Sequence, residues 1–158
     1  MGGHGAWMFA SQQPHLFAAV VVVCGYTQGS NEARRVAERL AHAGTAVAVY
    51  HSADDSVIPV QASDQVVAQL RAKGYSTDGP TSLRLRVVRY DHAPGPPMPE
   101  YAFLIGHGSY ELAFRDDGLY SWLLAQACNT CKAGGQLSSP SAWSPLQTSR
   151  ASAGELRR

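Results

Sequence analysis

Phe17-Ala18-Ala19-Val20-Val21-Val22-Val23-Cys24 is an unbroken apolar run rich in β-branched residues. It falls far short of the ~20 residues that a membrane-spanning helix needs, and its Val content suits a strand covered by helices on both faces. The run therefore reads as a central strand of a parallel sheet. The next segments alternate helix and strand. Ala33, Val36, Ala37, Leu40 and Ala41 recur at helical spacing behind the candidate caps Ser30 and Asn31, with Gly44 as the stop. Thr45 to Tyr50 predicts a second strand. Ser63 to Lys73 predicts a second helix, turning Val66, Val67 and Leu70 inward and ending at Gly74.

Leu83 to Tyr90 alternates Leu83, Leu85 and Val87 with Arg84, Arg86 and Val88, the pattern of a strand with one less buried face near a sheet edge. The prolines at 94, 96, 97 and 99 then forbid regular structure. Apolar content returns in Tyr110 to Phe114 and in Leu119, Trp122 and Leu123, with Asp116 and Asp117 as candidate caps and a terminal helix ending near Ala127. Beyond it, residues 128–158 hold few apolar side chains and no period, so that tail is expected to be disordered. Alternation of strand and helix implies a layered α/β domain over residues 1–127 with right-handed crossovers, whose ligands bind where the strands end.

Composition narrows the partner classes. A net charge of +1 over 158 residues gives no basic footprint for nucleic acid or an anionic membrane. No secretory signal or myristoylation site is legible at the N-terminus, so the cytoplasm is the expected location. Cys24 sits in the apolar strand, and Cys128 and Cys131 form a lone C-x-x-C without the second pair or histidines of a zinc site. The cluster Gly2, Gly3 and Gly5 has neither the preceding strand nor the spacing of a nucleotide-binding loop.

The residues just after the strands carry the chemistry. His51-Ser52-Ala53-Asp54-Asp55-Ser56-Val57-Ile58-Pro59 follows the second strand, and a long loop after Tyr90 ends in Ile105-Gly106-His107-Gly108-Ser109-Tyr110. An acid after one strand and a histidine after the next suit a Ser–His–Asp relay, in which a carboxylate orients the imidazole and stabilises its protonated form. Asp54 and Asp55 equally suit a solvated turn before Pro59. His92, directly after its strand, rivals His107. His51 reads as a structural residue at a strand end, and His4, His15 and His42 show no ligand spacing. A metal site built from His51, Asp54, Asp55 and His107 is a further alternative.

These motifs resemble the phospholipase/carboxylesterase branch of the α/β-hydrolases, which includes the acyl-protein thioesterases. His51 to Pro59 resembles its His-Gly-x-x-Asp-x-Val-Val-Pro segment, with Ser52 in place of Gly, and Gly106 to Tyr110 resembles its Gly-His-x-x-Trp segment. Met1 to Trp7, with Pro14, Phe17 to Ala19 and Gly25, looks like the stretch after the nucleophile. The resemblance implies Asp55 as triad acid, His107 as base, an acyl ester or thioester substrate, and no cofactor or metal. In the G-x-S-x-G elbow, Met1 takes the place directly after the serine and Gly2 the closing glycine. The chain is therefore expected to be the C-terminal half of an α/β-hydrolase fold, a parallel sheet flanked by helices, without the N-terminal strands, the elbow or its serine. Met1 N–H would be the one oxyanion donor left. Such a half is expected to be inactive alone and marginally stable, since the strand leading into Met1 would pair beside Phe17 to Cys24. The alternative is a non-catalytic half-domain that binds a separately made N-terminal half. Ser52, Ser56 and Ser109 adjoin the acid and histidine motifs without an elbow of their own.

Overall fold

A computed structural model describes residues 1–77 and 84–127. Three strands, β1 (Ala19–Val23), β2 (Ala46–Ser52) and β3 (Leu85–Tyr90), form a parallel sheet in the order β1-β2-β3. Val22 pairs with Val49 and Val49 with Val87. All seven residues of β2 are buried, whereas β1 and β3 are largely half-buried. Among the described residues β1 pairs only with β2. A uniformly apolar strand reports two covered faces, not two covered edges, and the outer edge of β1 has no strand partner among the described residues. β3 lies at the opposite edge, as its alternation implies.

Because side chains of a strand alternate, Val47 and Val49 face one way and Ala48 and Tyr50 the other. The first pair meets a core of Trp7, Val36, Leu40, Val66 and Leu70, supplied by α1 (Gly2–Gln12), α2 (Ser30–Ala43) and α3 (Gln61–Ala72). The second packs with Ala113 of α4 (Ser109–Ala113) and Leu119 of α5 (Asp117–Leu124). The sheet is the middle of three layers.

α2 turns Ala33, Val36, Ala37 and Leu40 inward as its spacing implies and stops at Gly44, whose φ of 69° is the left-handed cap a glycine takes readily. Its N-cap is Gly29, not Ser30 or Asn31; the Glu32 carboxylate instead accepts from Gln28 N–H. α3 begins two residues before Ser63, and β2 runs two residues past Tyr50, through His51 and Ser52. Asp116 caps α5 by accepting from Gly118 N–H, and that helix ends at Leu124 rather than near Ala127. Leu83 and the tail at 128–158, with Cys128 and Cys131, lie outside the described residues. No helix among the described residues is long and apolar enough to cross a membrane.

α1 has no announcing period, and three glycines in its first turns are weak helix formers. Tertiary packing holds it, through the buried Trp7 and Ala10. Of its glycines, Gly3 makes the close approach: a Cβ there would collide with the carbonyl oxygen of Val23 and lie 2.6 Å from Gly25 Cα. Gly2 and Gly5 face open space. The start of α1 is thus pressed backbone to backbone against the end of β1.

Candidate functional site

The end of β2 delivers His51 and Ser52 into the interior, and the chain then turns through Asp54 and Asp55. Asp55 Oδ1 accepts from the backbone N–H groups of Val57 (2.8 Å) and Ile58 (2.9 Å), which fixes the carboxylate in its own turn. The second loop reaches it across 52 residues of sequence. Gly106, at φ 81°, lies so near the first loop that a Cβ would collide with the Asp54 carbonyl and come within 2.5 Å of Asp55 Cα. Ser56 N–H donates to Ile105 C=O at 3.0 Å, joining the two loops, while Gly106 N–H to Ala93 C=O (2.9 Å) and Gly108 N–H to Pro94 C=O (2.8 Å) close the second loop at its base.

That contact sets His107 Nδ1 at 3.0 and 3.2 Å from the two Asp55 oxygens. Since a carboxylate only accepts, Nδ1 carries the hydrogen, and Nε2 is left as the basic nitrogen. The Asp55 side chain is fully buried and that of His107 is 22% exposed. His107 lines a cleft of about 400 Å³ with Met1, Gly2, Gly3, Val23, Cys24 and Phe114. The first turn of α1, whose backbone N–H groups have no partners within the helix, forms the facing wall.

Burial pushes the Asp55 carboxyl upward, but Ile58 N–H, His107 and Val57 N–H outweigh it and hold the group below the ordinary carboxylate range. A depressed native value means that the stabilisation is complete above the unfolded pKa and is lost as pH falls through the native one. Urea unfolding midpoints should therefore drop as pH is lowered from about 4. Asp55→Asn should flatten part of that drop. Asp116, held low against its burial by Tyr50, Gly118 N–H and Arg86, should retain part of the remainder, with Asp54 and Glu38, whose carboxyls are also lowered. An identical acid profile for wild type and Asp55→Asn would contradict this account.

His92 does not share this pair. Its side chain is 87% exposed and its Nδ1 lies 3.2 Å from Asp54 Oδ2. Asp54 also accepts from Ser52 Oγ and Ala93 N–H, so it ties β2 to the second loop. Hydrogen bonding to Ser52 is the main reason its carboxyl is lowered. His4 stacks on Tyr26 at 4.7 Å, and its Nδ1 lies 3.1 Å from the Tyr26 carbonyl oxygen. Ser109 is buried, with its hydroxyl near Gly106 C=O and Cys24 Sγ; Ser52 is buried on Asp54; Ser56 is exposed. None of the three is on a strained turn facing His107.

Two residues at the floor of the site escape a reading of sequence alone. Cys24, at φ 49° just past β1, lies 2.9 Å from Ser109 Oγ; burial pushes its thiol up to about 11 against that hydrogen bond, and the Asp55 charge adds to the rise. It is a protonated wall, not a nucleophile. His51 is 2% exposed, with Nε2 2.9 Å from Ile58 C=O and 3.2 Å from Asp55 Oδ2, and Nδ1 2.7 Å from Ser63 Oγ. Cys24, His51 and Asp55 bring possible ligand atoms within 4.8 Å of one another, a different set from His51, Asp54, Asp55 and His107. Both His51 nitrogens and both Asp55 oxygens already have hydrogen-bond partners, so a cation would have to displace them.

No protein-family model matches the chain, and no curated protein does. Among solved structures, the crystal structure of a thermostable esterase is similar, at 26% sequence identity and a TM-score of 0.57 over 79% of this chain. The chain spans 28% of the length of that structure. A parallel sheet between two helical layers, with this likeness, makes the chain an esterase-like partial α/β-hydrolase fold.

Proposed function

We propose that the chain carries the acid and the base of a Ser–His–Asp carboxylic ester or thioester hydrolase of the phospholipase/carboxylesterase kind, residues 1–127 being the C-terminal half of its domain. The serine, in this reading, comes from a segment directly ahead of Met1. The observation that carries the reading is the buried Asp55 bonded to His107 Nδ1, with the ring on a cleft whose opposite wall is the start of a helix.

The roles follow from chemistry. His107 Nε2 takes the serine proton as the oxygen attacks the acyl carbon, and Asp55 stabilises the imidazolium so formed. Backbone N–H groups at the start of α1, Met1 foremost once it lies within a longer chain, would meet the negative oxygen of the tetrahedral intermediate. When that intermediate collapses, the Nε2 proton passes to the departing alcohol or thiol. Water then repeats the sequence on the acyl-enzyme. Val21, Val23 and Phe114 give the cleft apolar walls that suit an acyl chain.

The test is hydrolysis of a short-chain aryl ester by the 158-residue chain and by the chain extended upstream through a G-x-S-x-G strand. The extended form should turn over and the shorter one should not. Activity of the shorter chain that His107→Ala abolishes would move the nucleophile into residues 1–158. A folded but inactive extension would favour a non-catalytic half-domain that binds its complement.

A further inference from the structure

We propose that His51 is a positioning residue for the Asp55–His107 pair, an inference that rests on the esterase reading above. His51 Nε2 stands 2.9 Å from the Ile58 carbonyl oxygen and 3.2 Å from Asp55 Oδ2. Both are acceptors only, so Nε2 must carry a hydrogen and its N–H is shared between them. The ring cannot turn away from this arrangement, because Nδ1, left without a hydrogen, accepts from the Ser63 hydroxyl at 2.7 Å. His51 is thus fixed by α3 while it donates to a loop carboxylate.

The donation matters because of how the Asp55 oxygens are divided. Oδ1 is taken by Val57 and Ile58 N–H, and Oδ2, the oxygen nearer His107, has His51 as its other donor. A carboxylate oxygen that loses a donor becomes a stronger acceptor for the one that remains. Removing the His51 N–H therefore strengthens the hold of Asp55 on a protonated His107 and loosens the plane of the carboxylate. Among the described residues Cys24 also reaches Asp55, but its protonated thiol is a weak S–H donor and does not replace the imidazole N–H.

His51→Leu removes the N–H. His51→Gln keeps an N–H at nearly the same reach. In the polypeptide extended through its serine, His51→Leu should lower kcat by about tenfold with KM within about twofold, the mark of a displaced group rather than weakened substrate binding. The acid limb of its pH–rate profile should move upward by about half a unit. His51→Gln should restore both. In the 158-residue chain, the downfield NMR signal of His107 Nδ1–H should shift in His51→Leu and return in His51→Gln. If His51→Leu does not fold, Ser63→Ala, which releases the ring at Nδ1, should give a smaller change in the same direction. Leu and Gln variants that behave alike, or a Leu variant with an unshifted resonance and profile, would overturn the proposal. An inactive wild-type extension would sink the esterase reading instead, leaving the resonance alone to decide whether His51 orients Asp55.

Discussion

On the proposed Ser–His–Asp reading, replacing His107 by alanine in the chain extended upstream through a G-x-S-x-G strand should lower kcat for an aryl ester by about 10,000-fold, with KM nearly unchanged. The size reflects what is removed. Without Nε2 no group accepts the serine proton, while the cleft walls that hold substrate remain in place. Asp55→Asn should fall almost as far for a different reason: an amide nitrogen facing His107 Nδ1 favours the wrong tautomer. His92→Ala should change little, because that ring is solvent-exposed and bonded to Asp54. Stopped assays across about pH 5 to 9, an interval of about two units either side of neutrality that brackets histidine titration, would measure all three. A His107→Ala variant with more than about a tenth of wild-type kcat would be incompatible with general-base catalysis, which contributes about 10²–10⁴-fold.

The largest expected loss of stability is at Trp7. Its side chain is fully buried where α1, α2 and the sheet meet, and Gly25 approaches so closely that a Cβ there would lie 2.7 Å from the indole nitrogen. Trp7→Ala should cost about 3–5 kcal/mol through lost burial and an unfilled cavity. Trp7→Phe should cost distinctly less. The indole N–H is buried with no hydrogen-bond partner among the described residues, and a stranded donor is worth about 1–3 kcal/mol against the native state. Urea unfolding at constant m-value measures both. Equal losses for the two variants would mean that the volume phenylalanine retains does not stabilise the core, and would contradict the cavity account.

The fold was legible where local chemistry and tertiary structure agree. The spacing of Ala33, Val36, Ala37 and Leu40 names the buried face of α2, and Gly44 names its end. α1 was not legible, since glycines mask a helix that exists through contact with β1. In the site, Asp55 and His107 could be nominated from residue type and motif order, yet their meeting depends on Gly106 folding one loop against another. The part played by His51 was hidden for a similar reason. Its partners, Ser63 and Ile58, come from a helix and a turn whose approach no periodicity records.

The closed base of the second loop has a consequence for how this site can diversify. Residues 94–105 leave and return through the bonds at Ala93, Pro94, Gly106 and Gly108, so the tip bearing the exposed Met98, Tyr101 and Phe103 hangs from a fixed neck. Exchanging the exposed side chains of that tip leaves these backbone bonds in place, whereas changing its length would pull on the base, since His107 N–H donates to Leu104 C=O and Leu104 N–H to Tyr101 C=O. A library that varies the exposed side chains of Met98 and Phe103 at constant loop length would therefore keep the proton chemistry in place.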